Sequence, residues 1–333
     1  MTTAATTRIA STSPKAPANP CSARTSNLAR WPEPDTVSSM AMTGQWFDIK
    51  AGDYRAAISE VGAGLAGLWR RDRPITSPWP DGVLPPMSCG AALLPWPNRI
   101  RDGRYSYAGS EYQLPLTEPA QHNASHGLVR WVRWEVAERG DHSVTLTHDL
   151  VPQTGYPFEL RMHIRYALSA ESGLTVSTQV TNEGRQSAPF GAGFHPYLDL
   201  DGHDLDHAEL EIPAGTMLLT DDRQIPVGRS SVHGTPYQLS PARPIGTLRL
   251  DNGFADLTGS KATVKIADYT TEVWWSDEFQ YLQVFTPPLE RFKRTAIAVE
   301  PMTCPADAFN SSDGLIELAA GGSWSASWGI RTS

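Results

Sequence analysis

Six polar residues sit in stiff or apolar stretches where chemistry would explain them better than solubility: Asn98, Arg99, His126, His195, Gln283 and Glu300. Glu300 follows Ala296 and Ala298 on the alternation of "AIAVEPM", and Pro301 comes next. A buried carboxylate costs several kcal/mol unless it is paired or has work to do. Glu300 is therefore either a strand-end residue reaching water or a placed acid or base. His195 stands between Phe194 and Pro196 in "GFHPYLDL", and His126 precedes Gly127 in "SHGLVRW". Imidazole, with an ordinary pKa of about 6.5, gives or takes a proton at neutral pH. In "LLPWPNRI" the Pro-Trp-Pro segment stiffens the backbone before Asn98 and Arg99. An amide beside a guanidinium offers about seven N–H donors to a hydroxyl-rich or anionic ligand, and a structural salt bridge is the plain alternative. Gln283 shares a face of "YLQVFT" with Tyr281 and Phe285, where an amide needs a partner and a ligand hydroxyl would serve. If the strands of Gln283 and Glu300 are neighbours, both open into one cleft. A single sugar site would explain the whole set.

The elements that must carry these residues read as strands. "ELRMHIRYAL" puts Leu160, Met162, Ile164, Tyr166 and Leu168 on one face. "LTVSTQV" and "WSASWGI" repeat the period of two, and "RYSYAGSEYQL" reads as a hairpin around Ala108-Gly109-Ser110. The 27 Gly and 27 Pro punctuate many short segments, and no amphipathic helix stands out beyond a turn after Pro305. Many antiparallel strands without crossover helices predict an all-β fold, a large twisted antiparallel β-sandwich over residues 44–333 as one domain. Residues 1–43 are rich in Thr, Ala, Ser and Pro without apolar periodicity, so they read as a disordered leader, with Met40 and Met42 as alternative starts.

Composition excludes several classes. A net charge of -8 with no basic stripe argues against nucleic acid. No apolar run is long enough to span a bilayer, and no secretory signal is visible. Cys21, Cys89 and Cys304 form neither a disulfide framework nor a zinc knuckle, so a reduced, cytoplasmic setting is expected. "GAGLAG" satisfies the glycine pattern of dinucleotide sites, but Pro74, Pro78 and Pro80 forbid the helix that must follow, leaving a glycine turn. "DLDGHD" lacks a closing Glu for calcium, and "HNASH" lacks the glutamate of a zinc helix. No cofactor and no metal are expected.

In "PNRI", "HG", "HPY", "LQVFT" and "VEPMTCPADAFN", taken in order over nearly all of residues 45–333, the chain resembles the aldose 1-epimerases (galactose mutarotases), and "LLPWPNRIRDGRYSYAGSEYQL" reads like their bacterial branch. The resemblance implies a mutarotase-like supersandwich with an open cleft and a small-molecule aldose as partner, in a monomer or homodimer. Glu300 would be the general base at the anomeric hydroxyl and His195 the general acid at the ring oxygen. His126 would stabilise charge beside it, while Arg99, Asn98 and Gln283 hold sugar hydroxyls. Asp251, in "LDNGF", matches the family's sugar-binding aspartate. A carboxylate and an imidazolium on opposite sides of a pyranose would couple the two proton transfers of ring opening. Two other readings remain open: a hexose-6-phosphate epimerase, drawing on Arg130 with Arg99, Arg101 and Arg104, and a non-catalytic carbohydrate-binding protein of the same fold. A metal-dependent hydrolase is a third.

Overall fold

The computed structural model describes Met1, residues 42–287 and residues 294–333. Among these, two large antiparallel sheets dominate. The first runs, in spatial order, through Trp46–Ala51, Tyr54–Ser59, Leu65–Arg70, Arg73–Thr76, Tyr197–Asp199, Ala296–Met302, Tyr281–Phe285, Asp251–Leu257, Ala214–Thr220 and Pro226–Ser231. The second runs from Glu135–Arg139 through Ser143–Leu150, Leu160–Ser169, Gly173–Asn182, Ser323–Thr332, Tyr269–Trp275 and Lys261–Ile266 to Glu209–Glu211 and Arg243–Pro244. The predicted all-β sandwich is what forms.

Period two explains the layering. Leu160, Met162, Ile164, Tyr166 and Leu168 are all buried, while Arg161 and Arg165 between them are exposed. The same cluster takes Ile58 and Leu68, and also Ile297 and Val299, from the first sheet. Both sheets thus give one apolar face to a shared core, where a Leu or Ile side chain is worth about 1.5–3 kcal/mol of burial. The Tyr166 hydroxyl ties the layers by donating to the Ala63 carbonyl at 2.6 Å. Strand parity then forces Ala296, Ala298 and Glu300 onto the opposite face of the first sheet, where Ala296 and Ala298 pack with Tyr197 and Trp79.

The smaller expectations resolve individually. The hairpin forms with Ala108 and Gly109 as its two turn residues, both at positive φ, and Ser110 already pairs with Tyr107. One helical turn, Ala308–Ser311, follows Pro305. Gly62-Ala63-Gly64 turns the chain between the antiparallel strands Tyr54–Ser59 and Leu65–Arg70. The expected leader falls outside the described residues except for Met1, Met42 and Thr43. Thr43 is buried; its carbonyl accepts from the Val61 N–H at 3.1 Å and its hydroxyl from Trp46 Nε1 at 3.2 Å. Among the described residues, Cys89 and Cys304 are buried and unbridged, and no helix is long and apolar enough to cross a membrane.

One expectation needs correction. Glu300 does not end its strand: Ala296–Met302 continues through Pro301, which sits opposite Leu282. A proline inside a sheet normally breaks the ladder. On the other side the adjacent strand carries Pro196, which also lacks an N–H and by register lies opposite Val299, so the two prolines bracket the His195–Glu300 pair. The gap between these two prolines is where the functional side chains meet.

Candidate active site

The row of residues across the first sheet at this gap is set by register. Gly193 pairs with Met302 and Tyr197 with Ala298, which places His195 directly opposite Glu300. On the other side Glu300 pairs with Gln283, and Gln283 with Gly253. His195, Glu300 and Gln283 therefore stand abreast on three adjacent strands, as cross-strand neighbours do. His195 Nε2 lies 3.3 Å from Glu300 Oε1. Gln283 donates through Nε2 to Asp251 Oδ1 at 2.7 Å. The neighbouring strands expected for Gln283 and Glu300 are real.

Loops build the rest of the wall. Arg99–Arg101 pairs with Asn123–Ser125, setting Arg99 opposite Ser125, one residue from His126. The His126 N–H donates to the Asn98 carbonyl at 2.8 Å, and the Leu128 N–H to the Leu94 carbonyl at 2.7 Å. This lacing requires Gly127: its φ is +71°, and a Cβ there would lie 1.9 Å from the Leu94 carbonyl oxygen. Asn98 and His126 themselves adopt positive φ, at 54° and 59°, a conformation rare outside Gly and enriched for Asn and His. Arg99 Nε donates to Glu118 Oε2 at 2.8 Å and its Nη1 to Asn98 Oδ1 at 3.2 Å. The His195 ring stacks on Tyr197 with centroids 5.0 Å apart, and His126 meets His195 edge-on at 5.6 Å.

These groups surround one open cavity of about 310 Å³. Every residue expected to act on or hold a ligand lines it: Asn98, Arg99, His126, His195, Asp251, Gln283 and Glu300. His122, Arg101 and Arg104, which share sequence stretches with them, do not. Arg101 and Arg104 are exposed, with Arg104 Nε bonded to Gln113 within the hairpin. A larger depression of about 690 Å³ lies on the second sheet, lined by His163, Arg165 and several serines, and holds none of these residues.

Sequence reasoning passed over Ser88, Glu118, Tyr197 and Phe285 as ligand-facing groups, although all four line the cavity. Tyr197 and Phe285 were visible as aromatics beside His195 and Gln283. Ser88 and Glu118 carried no signal, because turn residues in a loop look alike until the loops are laced together.

Burial governs the electrostatics. It drives the Glu300 carboxyl well above the ordinary range, helped by the charge of Asp251 and opposed by Arg99. It pushes His195 down to about 3, with Arg130 and Arg99 adding to the effect. His126 is likewise held well below its usual value by burial, then by Arg130, His195 and Arg99. Burial thus favours a proton on Glu300 and neutral imidazoles. A proton moving from Glu300 to His195 across their 3.3 Å contact leaves the pair's net charge unchanged. Such an arrangement can take a proton from one ligand oxygen and give one to a neighbouring oxygen.

This geometry revises one expectation. The carboxylate and the imidazole do not lie on opposite sides of a space wide enough for a sugar ring; they stand side by side. Two oxygens borne on one carbon, as in a hemiacetal, would meet both at a single edge.

The aldose 1-epimerase family profile matches residues 46–331. The uncharacterized protein YihR of Escherichia coli is 35% identical over 286 residues, covering 86% of this chain and 92% of its own. The galactose mutarotase of Rattus norvegicus is 30% identical over 167 residues, 47% of this chain and 46% of that one. Among solved structures, an aldose epimerase homologue from C. elegans superposes with a TM-score of 0.78 at 18% identity, covering 87% of this chain and 98% of that one. A galactose mutarotase-like protein from Clostridium acetobutylicum gives 0.75 at 21% identity, covering 86% and 94%. At these identities the two superpositions speak for the fold alone.

Proposed function

The chain belongs to the aldose 1-epimerase family, and from that premise we propose that it interconverts the α and β anomers of a free aldohexose such as galactose or glucose, as a member of the bacterial branch. The observation that carries the reading is the contact of His195 Nε2 with Glu300 Oε1 at 3.3 Å inside a cavity lined with hydroxyl-binding groups.

On this reading Arg99, Asn98, Gln283 and Asp251 hold the sugar hydroxyls and present the anomeric edge to the pair. The proton resident on Glu300 passes to His195, leaving a carboxylate as base and an imidazolium as acid. Glu300 then takes the proton of the anomeric hydroxyl while His195 protonates the ring oxygen, and the C1–ring oxygen bond breaks to give the open aldehyde. His126 stabilises charge at the ring oxygen. Rotation about C1–C2 turns the other carbonyl face to the ring hydroxyl, and ring closure runs the two transfers in reverse. Each positioned group contributes on the order of 10²- to 10⁴-fold. Glu300 and His195 accept and deliver the two protons exchanged with the sugar, and both lie within residues 44–333, which we read as one domain working in the cytoplasm as a monomer or homodimer.

Polarimetry on freshly dissolved α-glucose, α-galactose and related anomers, against a buffer blank, tests the proposal. Accelerated drift of the optical rotation to its equilibrium value, abolished in Glu300→Gln while sugar binding persists, is the expected result. Binding without any acceleration by the wild-type protein would establish a non-catalytic carbohydrate-binding protein instead.

A further inference from the structure

The backbone of His195 is fixed, but its ring lacks the usual anchor. The His195 N–H donates to the Ala91 carbonyl at 3.0 Å, and its carbonyl accepts from the Gly90 N–H at 2.9 Å. Of the ring nitrogens, Nε2 faces Glu300 at 3.3 Å. Nδ1 is buried and, among the described residues, has no partner outside its own residue. An imidazole that moves protons commonly takes its tautomer and orientation from a bond at the far nitrogen. Packing has to supply the orientation here.

That packing is specific. Tyr197 lies two residues further along an extended chain, so its side chain emerges on the same face as His195. The two rings are 10° from parallel with centroids 5.0 Å apart, the offset stack that aromatic pairs favour. His126 meets the same imidazole edge-on at 5.6 Å. Tyr197 is completely buried, and its hydroxyl donates to the Met87 carbonyl at 3.2 Å. Burial, then the charge of Glu300, holds the phenol above its ordinary range, so the hydroxyl stays a donor. Met87 and Ser88 both stand in the left-handed region, at φ 49° and 60°, which is rare for residues with a Cβ. Both line the cavity, and their turn runs directly into Gly90 and Ala91, which hold the His195 backbone. One side chain thus joins the plane of the imidazole to a strained turn in the cavity wall.

The face of an aromatic ring is electron-rich and attracts cations. When His195 takes the proton of Glu300 in the proposed cycle, the imidazolium forms against the face of Tyr197. The attraction is stronger after the transfer than before it, so it acts on the rate rather than on sugar binding. We propose that Tyr197 is the positioning residue of the acid: its ring sets the plane of His195 and favours the imidazolium, and its hydroxyl fixes the Met87–Ser88 turn. This rests on the epimerase reading and deepens it.

The test measures kcat and KM separately, by NMR saturation transfer between the anomers of glucose and of galactose, in the wild type, Tyr197→Phe and Tyr197→Leu. Phe keeps the ring and loses the tether. It should raise KM about 2- to 10-fold, the worth of one hydrogen bond, and hold kcat within about 3-fold of wild type. Leu loses both, and should lower kcat about 10- to 100-fold below that of Phe. A loss of kcat in Phe as large as in Leu, or equal kcat values close to wild type in both, overturns the proposal. Histidine-labelled protein supplies a readout independent of turnover. Nuclear Overhauser contacts from the His195 ring protons to the ring of residue 197, in one orientation and kept in Tyr197→Phe, are expected. A His195 ring that samples several orientations in the wild type removes the proposal, and this spectrum decides the matter if Tyr197→Leu does not fold. If the wild type accelerates neither sugar, the epimerase reading fails by itself, and the same spectrum alone decides whether Tyr197 sets the ring.

Discussion

Glu300 and His195 are each held in the form that burial favours, and that sets opposite demands on stability. The raised pKa of Glu300 means that the folded chain keeps a proton that the unfolded chain releases once pH rises past about 4.5. Its contribution to stability is therefore full below that pH and declines above it. Glu300→Gln should gain about 1 kcal/mol or more at pH 7, a gain that vanishes as pH falls toward 4.5, and should lose anomer interconversion by at least about 10²-fold. Thermal unfolding as a function of pH, beside polarimetry, checks both halves. A variant that is inactive and also less stable at pH 7 would contradict the account. For His195 the sign reverses. Its pKa falls to about 3 on folding, so stability is lost as pH drops from about 6.5 toward 3 while the unfolded chain takes up a proton. His195→Asn should therefore flatten the acid limb of the stability curve between those limits.

At the scale of elements, the site depends on two adjacent strands, each interrupted by a proline next to the His195–Glu300 pair, and on two loops laced together. Pro196 and Pro301 remove amide donors that would otherwise close the ladder over His195 and Glu300. Gly127 allows the loop that bears His126 to press against the Leu94 carbonyl. Gly127→Ala forces a Cβ into backbone at positive φ, and should cost roughly 3 kcal/mol in denaturant unfolding. Because His126 is the adjacent residue, activity should fall further than the folded fraction does. Equal losses of activity and folded protein would mean that the loop serves stability alone.

For the whole molecule, one core serves both sheets, and the site rests on it indirectly. Trp328, 2% exposed, packs its ring at a tilt against Phe194, the residue before His195, with centroids 5.1 Å apart. Trp328→Ala should destabilise by about 3–5 kcal/mol in a single cooperative transition. Two separated transitions would show that the sheets fold apart. Thr43 is already fixed through its carbonyl to Val61 and its hydroxyl to Trp46. A chain starting at Met42 should therefore retain full anomer interconversion by polarimetry, in keeping with residues 44–333 as one domain. Marked loss would assign a role to the preceding residues.

Legibility in the sequence followed the range of the forces involved. Alternation in 160–168 and 324–330 reports which side chains face the core, because period two is a local property of extended backbone. Glu300 stood out for the same reason: a carboxylate falls where parity leaves the apolar core. The His, Arg and amide positions could be picked out because stiff Pro and Gly neighbours flank them. The extent of Glu300's strand was misread because Pro301 looks like a terminator. Whether a missing N–H matters depends on the chain opposite, and that chain carries its own Pro196 about a hundred residues away in sequence. The placing of acid and base side by side and the lacing of Ser88 and Glu118 into the wall likewise depend on register and loop contacts between distant segments. Those distances and burials arise only when the two sheets close, so the tertiary structure alone decided them.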